Sequence, residues 1–217
     1  TNLILADEIN RGTPKTQSAL LEAMQEQQVT VEGQSFTLDK PFMVIATQNP
    51  LEFEGTYPLP EAQIDRFLAR LSMGYPSPEA ECEMLARRQS RQADTVTIPP
   101  VLSKQEFLEI QRAIETVHVN PDIHSYIVQI VAKTRADRRV QLGASPRGSL
   151  ALFKLSRSRA MMQGRDFVTP DDVKAVAVPA LAHRVILRPE LWAERISGET
   201  VVHDALEEVP VPRAEWR

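Results

Sequence analysis

Two adjacent carboxylates, Asp7 and Glu8, follow directly on the apolar run Leu3-Ile4-Leu5-Ala6. A short, uninterrupted apolar run bounded by polar residues suits a strand buried on both faces of a parallel sheet. In open α/β sheets ligands collect beyond the carboxyl ends of the strands, where this pair would emerge. Adjacent acids there can divide labour: one holds Mg²⁺, usually through water, while the other polarises an attacking water. A core strand that simply ends in two solvated acids would read the same way. A second apolar run, Phe42-Met43-Val44-Ile45-Ala46, ends in Thr47-Gln48-Asn49-Pro50. Pro50 pushes Asn49 towards an extended conformation at the strand's exit. If the two strands are parallel neighbours, Asp7, Glu8 and Asn49 share one edge of the sheet.

The elements that must position these groups are partly legible. Arg11-Gly12 makes a turn, and Thr13-Pro14 reads as N-cap plus first-turn proline of a helix running to about Gln27. Val29 to Leu38 alternates around Glu32-Gly33, a hairpin whose tip could project from the sheet. Leu51 to Pro60 reads as a loop, Glu61 to Arg66 as a short helix, Phe67 to Met73 as a third apolar strand and Pro78 to Arg91 as a helix. Asp94 to Leu102, with Pro99-Pro100, is the best linker. Beyond it the pattern turns helical. Ser103-Lys104-Gln105-Glu106 forms a capping box, and helices are expected from Pro121 to about Ala136, from Ser145-Pro146 to about Gln163 and from Thr169-Pro170 to about Val185. The stretch from Pro189 onward shows no clear periodicity. The expected organisation is an α/β unit over 1–93, a linker over 94–102, a helical unit over 103–188 and a tail over 189–217.

Composition narrows the partners. The 217 residues carry a net charge of -4, which gives no general argument for nucleic acid or an anionic membrane. One cysteine, Cys82, excludes an intramolecular disulfide and a cysteine-cluster metal site, as in a reducing cytoplasm. No stretch reaches the length of a membrane-spanning helix. His118, His124, His183 and His203 are scattered without metal-ligand spacing and read as structural. The chain opens on Thr inside a strand pattern, so it is expected to begin within something larger.

Together these residues resemble the AAA+ ATPases of the MoxR type, related to magnesium-chelatase ATPase subunits, from the start of the chain to about residue 188. Leu3-Ile4-Leu5-Ala6-Asp7-Glu8 is similar to the Walker B strand, and Ala46-Thr47-Gln48-Asn49-Pro50 to sensor 1. The hairpin at 29–38 resembles the insertion that precedes sensor 1 in this clade. Pro60-Glu61-Ala62-Gln63-Ile64-Asp65-Arg66-Phe67 resembles the arginine-finger segment, and Ser145-Pro146-Arg147-Gly148 resembles sensor 2. The resemblance implies an incomplete AAA+ parallel sheet followed by an all-α lid, with ATP and Mg²⁺ at the site. It assigns Asp7 to the metal, Glu8 and Asn49 to the lytic water, Arg66 to a neighbouring protomer's nucleotide and Arg147 to the γ-phosphate. Phosphoryl transfer asks for such groups on its own account, since positioning and charge neutralisation dominate it. Arg147 in a first helical turn opposes the helix dipole by about 0.3–1 kcal/mol, which a nearby anion would offset. Singly, each residue has a plainer reading: Asn49 as a turn residue, Arg66 as a surface partner of Asp65 or Glu61, and Arg147 as a solvated arginine. Arg11 is a further candidate for contact with a neighbouring subunit.

One departure is large. No Gly-x-x-x-x-Gly-Lys-[Ser/Thr] phosphate loop occurs in these 217 residues. The family places that loop upstream, after a strand lying between the sensor 1 strand and the strand at 67–73. The chain is therefore expected to be the C-terminal part of a protomer and inactive alone, with a gap in its sheet that exposes an apolar face. The resemblance implies a ring, a hexamer by family habit, that remodels or matures a client protein, often beside a von Willebrand factor A-domain partner. A non-catalytic interaction module is the alternative. A DNA-translocating motor is a further one, against which the hairpin argues because it carries Glu32 and no Lys or Arg.

Overall fold

The computed structural model describes residues 1–49, 55–191, 194 and 196–213. The turn expected at Pro50, the start of the 51–60 loop and the last residues of the tail lie outside them. The N-terminal part is built on two parallel strands, β1 (Leu3–Ala6) and β4 (Met43–Ala46), in the register Leu3↔Met43 to Ala6↔Ala46. Between them run helix α1 (Pro14–Glu26) and a hairpin of β2 (Gln28–Val31) and β3 (Gln34–Thr37). Thr13 caps α1 by accepting from the Thr16 N–H at 3.4 Å. Glu32 and Gly33 at the hairpin tip both have positive φ, as a two-residue turn that matches strand twist requires.

Two expectations fail here. Neither β1 nor β4 is buried on both faces: Leu3, Leu5, Met43 and Ile45 lie on a face that no described element covers, with Leu5 65% exposed. Phe67 to Met73 forms no strand, and Leu71 and Met73 stand 77% and 95% exposed. A strand is a relation between neighbours. Among the described residues nothing offers this apolar segment a ladder.

The opposite face is packed. Ile9, Leu21 and Leu59 are buried together, with Leu20, Met24, Ala46, Ile64 and Phe67 against them. Short helix α2 (Glu61–Ile64) closes this small core, and α3 (Pro78–Arg91) follows with no buried residue. The segment 94–102 has no regular structure.

The helical part holds the larger core. Helices α4 (Lys104–Glu115), α6 (Pro146–Met162) and α7 (Pro170–Leu181) begin at the openers read from the sequence, Ser103, Ser145 and Thr169, and α5 (Pro121–Ala136) begins at Pro121 as expected, with Asn120 as its cap. Ile123, Ile130, Leu152, Val168, Val173 and Leu181 are fully buried among them. A short antiparallel pair, β5 (Val140–Leu142) and β6 (Ile186–Leu187), was not legible. Nor was α8 (Gly198–Glu208), which buries Val201, Val202 and Ala205. The reading of 189–217 as an aperiodic tail is corrected: Ser197 opens a capped helix that packs on α5 and α7. Asp172 fixes the start of α7. It takes a two-pronged contact from Arg165 (2.7 Å twice) and accepts from the Thr169 N–H and hydroxyl at 2.9 Å. Burial alone would raise its pKa, but these donors more than offset that and hold it below the usual range. No helix among the described residues is long and apolar enough to cross a membrane.

Candidate functional site

The parallel register puts Asp7 beside Thr47 at the carboxyl edge of the strand pair. Thr47 then binds four successive residues of the other strand's exit. Its N–H donates to the Ala6 carbonyl (3.0 Å) and its hydroxyl donates to Asp7 Oδ1 (2.5 Å). The same hydroxyl accepts from the Glu8 N–H (2.9 Å), and its carbonyl accepts from the Ile9 N–H (3.0 Å). One threonine thus fixes the backbone that carries both acids. Glu8 sits at φ 50°, ψ 54°. A left-handed non-glycine residue at a strand exit is a strained position that its surroundings must impose, and such positions cluster at functional sites. The kink turns the chain at once into a 3₁₀ turn over Ile9–Arg11. Gln17, buried on α1, ties this turn to the next loop by donating to the carbonyls of Ile9 (3.2 Å) and Tyr57 (2.9 Å).

Asp7 is exposed, and one of its oxygens is held by Thr47. Glu8 faces solvent beside Arg11, with 3.0 Å between the charges. An ion pair that exposed contributes about 0–1 kcal/mol, so Glu8 stays available. Arg11, the candidate subunit contact, therefore has a partner within its own chain. Asn49 lies three residues beyond the end of β4, half-buried, at the same edge. Thr47 is the residue sequence reasoning passed over. Its signal was the Ala6↔Ala46 register, which required knowing that the strands pair.

The two arginines belong to a second cluster. Arg66 follows α2 in a turn (its N–H donates to the Gln63 carbonyl, 3.1 Å), and its exposed guanidinium has no hydrogen-bond or ion-pair partner among the described residues. The suggested surface pair with Asp65 does not form, because Asp65 is taken by the helical part. Ser145 donates to both its oxygens (3.0 and 2.9 Å), Arg184 Nε lies 3.1 Å from Oδ1, and Arg147 Nη1 donates to Oδ2 at 3.3 Å. Arg147 is thus not a free solvated arginine; the anion beside its helical first turn is Asp65. Gly148 lets α6 approach α7 closely, since a Cβ there would meet the Leu181 side chain at 2.9 Å. Among the described residues no hydrogen bond or ion pair joins Asp7 or Glu8 to Arg66 or Arg147.

Arg184 was not anticipated. Its side chain is buried, and it donates to the carbonyls of Asp65 (3.1 Å), Phe67 (2.7 Å) and Ala180 (2.7 Å). Beside it, His183 Nε2 lies 2.7 Å from Arg184 Nη1 and 3.2 Å from the Phe67 carbonyl. Burial first, and the Arg184 charge second, hold His183 down at about 4, with Arg70 adding to them. Folding therefore favours the neutral ring, and the unfolded chain takes up a proton below about 6.5 that the folded one refuses. The stability tied to His183 is fully present above pH 6.5 and is lost as pH falls towards 4. Thermal unfolding across this window should show the parent losing ground to His183→Gln as pH drops. A difference that stays constant with pH would contradict this.

The described residues contain no group of three or more His, Cys, Asp or Glu side chains able to enclose a metal. A Mg²⁺ site does not require one, because Mg²⁺ is usually held by one or two carboxylates plus waters and phosphate oxygens. Asp7, with a second oxygen not claimed by Thr47, fits that demand.

A parallel strand pair with acids at its carboxyl edge, followed by a helical unit whose Arg147 and Arg184 close on Asp65 just after α2, has the layout of a nucleotide-handling α/β domain with a lid. The comparisons sharpen that class. Residues 1–69 match the family model described as ATPase family associated with various cellular activities, and residues 132–205 match the AAA lid domain. The uncharacterized protein YeaC of Bacillus subtilis is 51% identical over 97% of this chain and 66% of its own length. Chaperone MoxR1 of Mycobacterium tuberculosis is 43% identical over 98% of the chain and 58% of its own. A crystal structure of a candidate ATPase from Cytophaga hutchinsonii superposes with a TM-score of 0.91 at 41% identity, over 98% of this chain and 67% of that one. Magnesium-chelatase subunits are more distant, at 26% for the 38 kDa subunit of Acidiphilium rubrum. The chain belongs to the MoxR-type AAA+ ATPases. It spans 66% of YeaC and 58% of MoxR1, so part of each relative's length has no counterpart in it.

Proposed function

We propose that the complete protein hydrolyses ATP with Mg²⁺ in a ring, hexameric by family resemblance, and uses the energy to remodel or mature a client protein, in the cytoplasm. The observation that carries the reading is the Thr47 staple, which fixes Asp7 and a left-handed Glu8 at the carboxyl edge of β1 and β4. In this reading β1 is the Walker B strand. Asp7, whose other oxygen is not bonded to Thr47, is the residue that would hold Mg²⁺, through water. Mg²⁺, when bound, neutralises charge on the β- and γ-phosphates. Glu8 accepts a hydrogen bond from the attacking water and polarises it towards the γ-phosphorus. Asn49 helps orient that water. Arg66, exposed and without a partner among the described residues, reaches the nucleotide of the adjacent protomer, and Arg147 serves the γ-phosphate from the lid. The likeness to a chaperone supports a protein client, and a von Willebrand factor A-domain protein is a partner to look for.

The phosphate-cradling amides and lysine do not occur in these 217 residues. The chain on its own is therefore expected to bind ATP weakly and release no phosphate, whereas the complete protein turns ATP over and stops when Mg²⁺ is chelated. Phosphate release by the 217-residue chain, or chelator-resistant release by the complete protein, would contradict the proposal.

A further inference from the structure

The segment carrying Arg66 hangs from the lid more than from its own α/β core. Arg184 Nη2 donates to the carbonyls of Asp65 and Phe67, the two residues that flank Arg66, so one guanidinium spans the finger's base. Its Nε faces the Asp65 carboxylate, and its Nη1 is tied to the Ala180 carbonyl of α7. Ser145 and Arg147 close on the same carboxylate from the start of α6. The Arg70 N–H donates to the Pro179 carbonyl at 2.9 Å, a further tie to α7. From the other side, α2 reaches the small core through Ile64, and Phe67 packs there beside it.

We propose that Arg184 and Asp65 are positioning residues: they clamp the base of Arg66 to the lid, so that lid movement sets where Arg66 stands at the neighbouring protomer. This rests on the reading of Arg66 as a finger acting across a subunit boundary. The geometry supplies the physical reason. An exposed arginine side chain with no partner among the described residues is aimed through its backbone. That backbone is fixed at both flanking carbonyls by a fork that cannot lose its charge near neutral pH. Lysine presents a single point charge and cannot reproduce a planar fork that bridges two carbonyls and a carboxylate. Asn at 65 keeps one acceptor but loses the charge shared by Ser145, Arg147 and Arg184. A misplacement of about 1 Å at a reacting centre can cost about 10²-fold in rate.

The test uses the complete protein and the variants Arg184→Lys and Asp65→Asn. Each should lower kcat by about 10²-fold while KM and nucleotide Kd stay within about twofold, and neither should lower kcat further in an Arg66→Ala background. Mixed rings separate the levels of the argument. Glu8→Gln protomers keep an intact finger but cannot activate water, so adding them to Arg66→Ala protomers should restore turnover at the Arg66→Ala sites. Adding them to Arg184→Lys or Asp65→Asn protomers should restore turnover in the same way. If the Arg66→Ala mixture fails to recover, the cross-subunit finger itself is wrong. If it recovers while the Arg184→Lys and Asp65→Asn mixtures do not, the finger stands and the clamp is overturned. A loss of thermal stability with KM and kcat changing together would equally overturn the clamp. Asp65→Glu, which keeps the charge, should retain more activity than Asp65→Asn; equal losses would count against a role for the carboxylate.

Discussion

Arg66→Ala in the complete protein should lower ATP turnover by roughly 10³-fold or more, the range that an arginine finger supplied by a neighbour contributes. Nucleotide affinity and ring assembly should stay within a few fold. The expectation follows from what the residue does not do in its own chain. Its guanidinium is exposed and has no described partner, so truncating it costs the fold little, as for surface substitutions in general. The backbone around it, in contrast, is held at both flanks by Arg184. A well-anchored base under an unengaged charged side chain suits a group whose partner lies on another molecule. Steady-state phosphate release and equilibrium nucleotide binding, measured on the same preparation, check the result. Turnover unchanged within twofold would mean that Arg66 is an ordinary surface arginine.

Glu8→Gln should reduce turnover by about 10²–10⁴-fold, the span ordinarily contributed by a positioned acid or base. ATP and Mg²⁺ should still bind. The amide is nearly isosteric, so the left-handed turn and the Thr47 hydrogen bond to the residue-8 N–H survive. The lost ion pair to Arg11 is solvent-exposed and contributes little. An interaction module without catalysis would be indifferent to this change, whereas an ATPase would keep its nucleotide and stop. Asp7→Asn, by contrast, should weaken Mg²⁺-dependent binding itself, because it removes the charge the metal's water shell faces.

Sequence carried the local features and lost the relational ones. Helices α1 and α3 to α7 were legible because their starts are written within a few residues, as in Thr13-Pro14, Ser103 with Glu106, and Ser145-Pro146. The hairpin was legible for the same reason, through Glu32-Gly33 and the alternation around it. Residues 67–73 misled because an apolar run is a strand only where another strand accepts it. Helix α8 had a signal, Ser197 followed by Val201, Val202 and Ala205 at helical spacing, that the prolines beyond it obscured. At the candidate site the acids and Asn49 were readable from strand ends. Thr47 needed the register, and the grouping of Asp65 with Arg184 needed a contact across more than a hundred residues that no local pattern encodes.

The most direct measurement is the structure of the complete protein's oligomer with Mg²⁺ and a γ-phosphate-mimicking ADP complex. There Asp7 should face the metal, Glu8 and Asn49 should lie within hydrogen-bond reach of the attacking water, about 3 Å, and Arg66 should arrive from the adjacent protomer. A terminal phosphate bound away from the edge formed by Asp7, Glu8 and Thr47 would contradict this arrangement.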